Sequence, residues 1–338
     1  MTAQMTQPSP ALFFDTITAY QRSDAMRAAI ELDLFTAIGE GNRSAAQIAA
    51  HCQASERGTR ILCDYMTLIG FLTKEGNGYG LTQDSAVFLD RRSPAYMGGA
   101  IEFIASDQIK EGFKYLTEAV RKGGTAVPDN GTLAPDHPVW INFARAMAPM
   151  MRPVAQGIAQ MIDPEASRKL KVLDIAASHG LFGIAFATRN PNAQIVGLDW
   201  GSVLEVSKEN AKAAGVADRH SIIAGSAFEV DYGTGYDVVL LTNFLHHFDP
   251  PTNEKLLRKV HAALAEGGRA VTLEFVPNDD RVSPVGVAGF SLTMLAGTPS
   301  GDAYTFAEFD RMFKNAGFAK NELHEIPPAI QQLIVSQK

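Results

Sequence analysis

From Lys169 onward the sequence alternates short apolar runs with longer amphipathic ones, and this rhythm limits the possible fold more than any other feature. KVLDIA, AQIVGLD, SIIAG, DVVLLT and AVTLEFV have strand length and are largely apolar, as strands covered on both faces must be. Between them, SVLEVSKENAKAAG and EKLLRKVHAALAEG place apolar residues at helical spacing and end at Gly215 and Gly267, residues suited to a helix C-terminus. Such alternation predicts an α/β fold, an open parallel sheet wrapped by helices. The last residues, LHEIPPAIQQLIVSQK, hold two extended runs around a Pro-Pro break and are expected to add antiparallel strands at the sheet edge.

Upstream of the sheet the period is different. From Leu12 to Leu89 the pattern is helical, and LFFDTITAYQRSDAMRAAIELDLFTAI repeats apolar residues at intervals of three and four. SAAQIAAHC and ERGTRILCDYMTLIGFL then read as two helices about a tight turn, followed by a Gly-Asn-Gly turn between short strands in LTKEGNGYGLT. This is a winged helix-turn-helix outline, a module that often binds DNA. Its second helix carries Arg57 and Arg60 but also Glu56 and Asp64, without a basic stripe. The whole chain has a net charge of -7, so neither nucleic acid nor an anionic membrane is an expected partner. An apolar N-terminal helix holding Leu12, Phe13, Ile17 and Tyr20 instead points to dimerisation, and a homodimer is expected.

Residues 121–138, RKGGTAVPDNGTLAPDHP, read as an exposed loop, after which PVWINFARAMAPMMRPVAQGIAQMI returns to helical spacing. Its aromatic and methionine side chains serve either as core or as the wall of a pocket for a flat ligand. The two cysteines, Cys52 and Cys63, form no CxxC and are read as buried residues rather than metal ligands. The start, MTAQMTQPSP, has neither the basic nor the apolar part of a signal peptide, and a cytoplasmic location is expected.

Ligands of open α/β sheets bind beyond the carboxyl ends of the strands. After the first strand stands DIAASHG, from Asp174 to Gly180, and Asp199 ends the second strand 25 residues after Asp174. A pyrophosphate would require GxGxxG, which is absent because only Gly180 and Gly183 are glycine here, so a cofactor without phosphates is expected. VLDIAASHG, GLDW, AGSAFE and DVVLLTNFLHHFD, in this order and spacing, resemble the nucleoside-binding motifs of class I S-adenosylmethionine-dependent methyltransferases. With the N-terminal winged helix, essentially the full chain resembles the small-molecule O-methyltransferases that include the caffeate and acetylserotonin enzymes.

That resemblance implies a winged-helix dimerisation domain over residues 1–100, linker helices and pocket elements over 101–164, and a Rossmann-like, S-adenosylmethionine-binding domain over 165–338. It implies Asp174 and Gly180 on the methionine side of the cofactor, Asp199 on the ribose hydroxyls, and Ser226, Ala227 and Phe228 around the adenine. Trp200 and Asn243 complete the expected cofactor set. Gly183 is read as structural, letting the first helix approach the sheet. The chain departs from the family where Ala176, Ala177 and Ser178 replace a run of glycines and Ser226 replaces an acid.

Methyl transfer to a hydroxyl requires alignment of a lone pair with the methyl group and removal of a proton. The resemblance implies His246 as general base and Glu274 as the acid that orients it. A second family acid, expected before the Thr of a GxxxT segment, is replaced by Ala303; Glu308 reads as a capping-box partner of Thr305 and Asp249 as a helix N-cap. The acceptor is expected to be a small aromatic or polyketide-like molecule against Phe143, Met147, Met151, His247, Phe290 and Met294, and no metal is expected. Two alternatives stand beside this reading: C-methylation of an enolisable substrate, and a non-catalytic regulator that senses S-adenosylmethionine.

Overall fold

The computed structural model describes residues 8–128 and 139–338, so residues 129–138 of the expected loop lie outside the described residues. The chain divides into two compact units, Met1–Ala105 and Ser106–Lys338. Among the described residues no helix is long and apolar enough to cross a membrane.

In the first unit the N-terminal helical stretch is delivered as three helices, α1 (Ala11–Ile17), α2 (Tyr20–Glu31) and α3 (Leu34–Gly39). The first break follows Thr18, whose hydroxyl donates back to the Phe14 carbonyl at 2.7 Å, and the second falls at Asp33, which has φ +55°. Helix α4 (Ala45–His51) starts with a capping box between Ser44 and Gln47, and α5 (Glu56–Leu68) is capped by Ser55. The hairpin of β1 (Leu72–Glu75) and β2 (Gly78–Leu81) turns at Gly76, with φ +57°, and is followed by α6 (Gln83–Phe88) and α7 (Ile101–Ile104). Leu34, Phe35, Ile48, Cys63, Met66 and Tyr79 form the core, and burial pushes the Cys63 thiol up to about 12, leaving it unreactive. The Arg60 and Lys74 head groups are both held by Asp64, at 2.8 and 2.5 Å. By contrast, α1 buries nothing within its unit: Leu12 is 78% and Phe13 61% exposed.

The second unit opens with α8 (Asp107–Lys114), α9 (Leu116–Lys122) and the long α10 (Val139–Ile162). Its sheet runs β5-β4-β3-β6-β7-β9-β8, built from β3 (Leu170–Ile175), β4 (Ala193–Asp199), β5 (His220–Ala224), β6 (Tyr236–Thr242), β7 (Leu264–Glu274), β8 (Lys320–Glu325) and β9 (Gln332–Gln337). The first five are parallel, while β9 and β8 pair antiparallel beyond β7, as the C-terminal runs predicted. Helices α11 (Leu181–Arg189), α12 (Gly201–Ala213), α13 (Pro250–Ala263), α14 (Val285–Ala288), α15 (Phe290–Gly297) and α16 (Phe306–Asn315) complete the unit. One apolar layer gathers Ile158 of α10 and Phe186 of α11, the other Leu257 of α13 and Phe313 of α16. The strand order reverses between β3 and β6, which puts a crevice beyond the carboxyl ends of the central strands.

One boundary differs from the sequence reading. Helix α13 stops at Ala263, not at Gly267, and β7 begins directly at Leu264. The register steps from Tyr236 opposite Leu264 to Val238 opposite Arg269, so Ala265–Gly268 bulge from the strand and Gly267, with φ +69°, belongs to that bulge. After α12 the expected glycine does occur, Gly215 at φ +71°.

Gly183 lies where α11 crosses the sheet. A Cβ there would fall 2.6 Å from Ile195 Cγ2 and 3.1 Å from Asp174 Oδ2. Gly183→Ala is therefore expected to destabilise the protein by ~1–3 kcal/mol in urea unfolding; an unchanged midpoint would show that α11 has room to retreat.

Candidate active site

Beyond β6 the chain turns through Asn243, with φ +53°, into a single 3-10 turn, Leu245–His247, and then into α13. Asp249 starts that helix by accepting the Thr252 N–H at 2.8 Å, with Pro250 in its first turn. The turn is shaped from below by Glu274, fully buried at the end of β7. Glu274 Oε1 accepts the backbone N–H groups of Phe244, Leu245 and His246 at 2.9, 2.7 and 3.3 Å. Its Oε2 lies 2.6 Å from His246 Nδ1. A carboxylate only accepts, so Nδ1 carries the proton and the lone pair of the imidazole is placed on Nε2.

The His246 ring is enclosed on several sides. Phe290 meets it edge-on at 4.9 Å and is itself stacked on Phe275 at 3.9 Å. The His246 carbonyl accepts the Asp302 N–H at 2.9 Å, and Gly301 approaches so closely that a Cβ there would overlap the same carbonyl. The His247 ring lies 4.3 Å away. Burial, and secondarily the neighbouring His246, hold His247 well below the usual histidine range, so it is neutral. Its Nδ1 has no hydrogen-bond partner, and the Trp140 ring covers it edge-on at 5.4 Å.

The turn from β3 into α11 forms the other half of the crevice. Gly180, at φ +72°, caps α11, and a Cβ on it would overlap the Ser207 hydroxyl. Ala176 and Ser178 hold φ +56° and +52°, so the backbone keeps a shape natural to glycine although the side chains have changed. Asp199 steadies that shape: its Oδ2 accepts the Ser178 N–H at 2.8 Å and its Oδ1 the Trp200 N–H at 2.7 Å. Asp174 Oδ2 accepts the Gly183 N–H at 2.9 Å, whereas its Oδ1 and the Ser178 hydroxyl are buried without partners. Burial pushes the Asp174 carboxyl up to about 7. His179, buried beside them, is driven down to about 4 by burial and by the Arg152 charge.

Ser226, Ala227 and Phe228 follow β5, and Phe228 meets Phe248 edge-on at 5.0 Å, joining this edge of the crevice to the histidine turn. Asn243 Oδ1 accepts from Gln331 Nε2 at 3.2 Å. Phe143 joins the histidines through Trp140, at 5.7 Å. Met151 sits in the core under the sheet with Met147 packed against it, and Met294 is buried on α15. Ala303 is buried and contributes no acid, and Glu308 forms the capping box with Thr305. Sequence reading missed Phe275, Gln331, Gly301 and Asp302. The last two act through backbone atoms and leave no side-chain signal.

Comparison with known proteins identifies the family of both parts of the chain. Residues 113–319 match the family model of the O-methyltransferase domain, and residues 14–91 that of the O-methyltransferase dimerisation domain. The chain is 29% identical over 314 residues to the 3-hydroxy-5-methyl-1-naphthoate 3-O-methyltransferase of Streptomyces sahachiroi, covering 91% of this chain and 89% of the relative. It is 26% identical over 308 residues to the L-tyrosine C(3)-methyltransferase of Streptomyces lavendulae, covering 87% and 82%. A crystal structure from Nostoc punctiforme PCC 73102, assigned to the O-methyltransferases, superposes with a TM-score of 0.96 at 60% identity, covering 98% of this chain and all of that one.

The raised pKa of Asp174 has a measurable sign. A carboxyl that titrates higher in the folded than in the unfolded protein contributes stability below its unfolded pKa that is lost as pH rises through the folded value, here from about 3.8 to about 7. Asp174→Asn removes this loss while keeping an oxygen for Gly183. The stability of the variant relative to wild type should rise between pH 4 and pH 7, by up to about 4 kcal/mol, and stay level above pH 8. A difference that is flat across that range in urea titrations would contradict the assignment.

Proposed function

The chain belongs to the O-methyltransferase family, and from that premise we propose that it methylates a hydroxyl of an aromatic or polyketide-like small molecule, with His246 as the general base. The observation that carries this reading is the buried His246–Glu274 pair at 2.6 Å, which leaves Nε2 as the basic atom in an apolar enclosure. The enzyme depends on S-adenosylmethionine, which supplies an electrophilic methyl group on a sulfonium. The residues present suit that cofactor: Asp199 offers a carboxylate to the ribose hydroxyls, and the unpartnered Asp174 Oδ1 suits a cationic ligand. Gly180 keeps open the entry to α11, and Phe228 offers an aromatic face to a purine.

In this mechanism Phe290 and His247 hold the acceptor ring against His246, whose Nε2 takes the hydroxyl proton. Glu274 keeps the imidazole in the required tautomer and stabilises the charge that forms. The neutral His247 adds no positive charge beside the base. The naphthoate relative acts on a flat hydroxylated ring of this type. C-methylation remains the second reading, favoured by Ala303 in place of an acid and by the Streptomyces lavendulae relative. The exposed apolar face of α1 supports a homodimer.

Three measurements test these assignments. His246→Gln should lower turnover of a phenolic acceptor by at least ~100-fold and leave cofactor affinity within about threefold; near wild-type single-turnover rates at every pH would mean that the enzyme works by alignment alone. Asp199→Ala should weaken cofactor binding by ~2–3 kcal/mol in calorimetry, and a folded variant with unchanged affinity would remove Asp199 from the site. Light scattering at micromolar concentration should report a dimer, converted to monomer or aggregate by deletion of the first 24 residues; a 36.4 kDa species alone would sink that assignment.

A further inference from the structure

Between Glu274, behind the base, and Phe290, against its ring, the chain makes an excursion that ends in α14. Its loop is tightly bonded. Asn278 donates its N–H to the Ser283 carbonyl at 2.8 Å and its amide to the Ser283 hydroxyl at 2.8 Å, and its carbonyl accepts the Arg281 N–H at 2.9 Å. Asp280 accepts the Val282 and Ser283 N–H groups at 2.9 and 3.0 Å. Between Asp280 and Val282 stands Arg281, at φ +57°, a backbone shape that costs energy for a side-chain-bearing residue. Its guanidinium leaves the loop and reaches Asp302 Oδ2 at 3.3 Å and Glu308 Oε1 at 2.5 Å.

Both acceptors belong to the segment that touches the base from the other side. Asp302 donates its N–H to the His246 carbonyl, and Glu308 Oε2 accepts the Thr305 N–H at 2.9 Å. We propose that Arg281 is a positioning residue for methyl transfer, a clamp that ties the excursion carrying Phe290 to the 301–308 segment, so that His246 is held from two sides at once. The proposal rests on the reading of His246 as the base. It also accounts for Ala303. With no side-chain acid at that position, the 301–308 segment holds the base turn through the Asp302 N–H and through the Tyr304 hydroxyl, which donates to the Phe248 carbonyl at 2.6 Å, and Arg281 ties that segment from outside. Arg281 is suited to that task because its planar fork bonds two carboxylates that a single ammonium cannot span equally well.

The pairs are partly exposed, with 43% of the Arg281 side chain accessible, so the clamp adds little to global stability and is sensitive to salt. Arg281→Ala and Arg281→Lys would be compared with wild type on a phenolic acceptor, with cofactor affinity measured separately. Arg281→Ala should lower kcat by about 10- to 100-fold and leave cofactor affinity within about threefold. Arg281→Lys should recover part of the loss, and 1 M salt should depress wild type but not Arg281→Ala. Independently of turnover, hydrogen exchange at the Asp302 amide and across 285–292 should quicken in Arg281→Ala while the central strands stay protected. Unchanged kcat, or unchanged exchange at Asp302, would overturn the clamp. If His246→Gln is impaired and Arg281→Ala is not, the clamp alone fails; if His246→Gln is not impaired, the base assignment fails and takes the clamp with it.

Discussion

The second unit is organised around one buried carboxylate. Glu274 stands fully enclosed at the end of β7, and an isolated charge there would be prohibitively unstable. It is tolerated because three backbone N–H groups and the His246 ring converge on it. Those same bonds dictate the course of the chain after β6. They bend residues 244–246 around the carboxylate, set the tautomer of His246 and direct the chain toward the Asp249 cap of α13. The proposed chemistry and the local fold thus depend on one set of hydrogen bonds, and a change at position 274 would disturb the turn that carries His246.

Most of the fold could be read from the sequence because its strands are short apolar runs bounded by amphipathic helices, and β3 to β7 appear where those runs predicted them. The boundary that escaped was the end of α13. Leu264 fits the apolar face of a helix as well as the start of a strand, and only pairing with Tyr236 decides between them. The N-terminal helices were visible as a period, but the breaks at Thr18 and Asp33 depend on a hydroxyl back-bond and a left-handed residue that periodicity does not register.

The candidate site was legible where its proposed roles rest on side chains. His246, Glu274, Asp199 and Gly180 follow strand ends at expected places, and the structure puts each at the crevice. Ala176 and Ser178, where the resemblance led us to expect glycines, both hold positive φ, a shape natural to glycine that carries a cost for residues with a side chain. What remained hidden was contact made by backbone, as at Gly301 and Asp302, and contact between distant aromatic residues, as at Phe275. No local pattern announces a carbonyl that lacks space for a Cβ, because the neighbour imposing that limit lies far away in the chain.

The chain has two tryptophans, and both border this crevice. Trp140 covers His247, while Trp200 follows Asp199, and both pack against the small cluster of Ala144, Val203 and Val206 that joins α10 to α12. Indole emission responds to polarity and to nearby quenchers, and here one indole lies against the histidine turn while the other follows Asp199. Excited where the eight tyrosines do not absorb, the intrinsic fluorescence of the native protein is therefore an optical readout of the crevice itself, with no remote tryptophan to subtract and no label to attach.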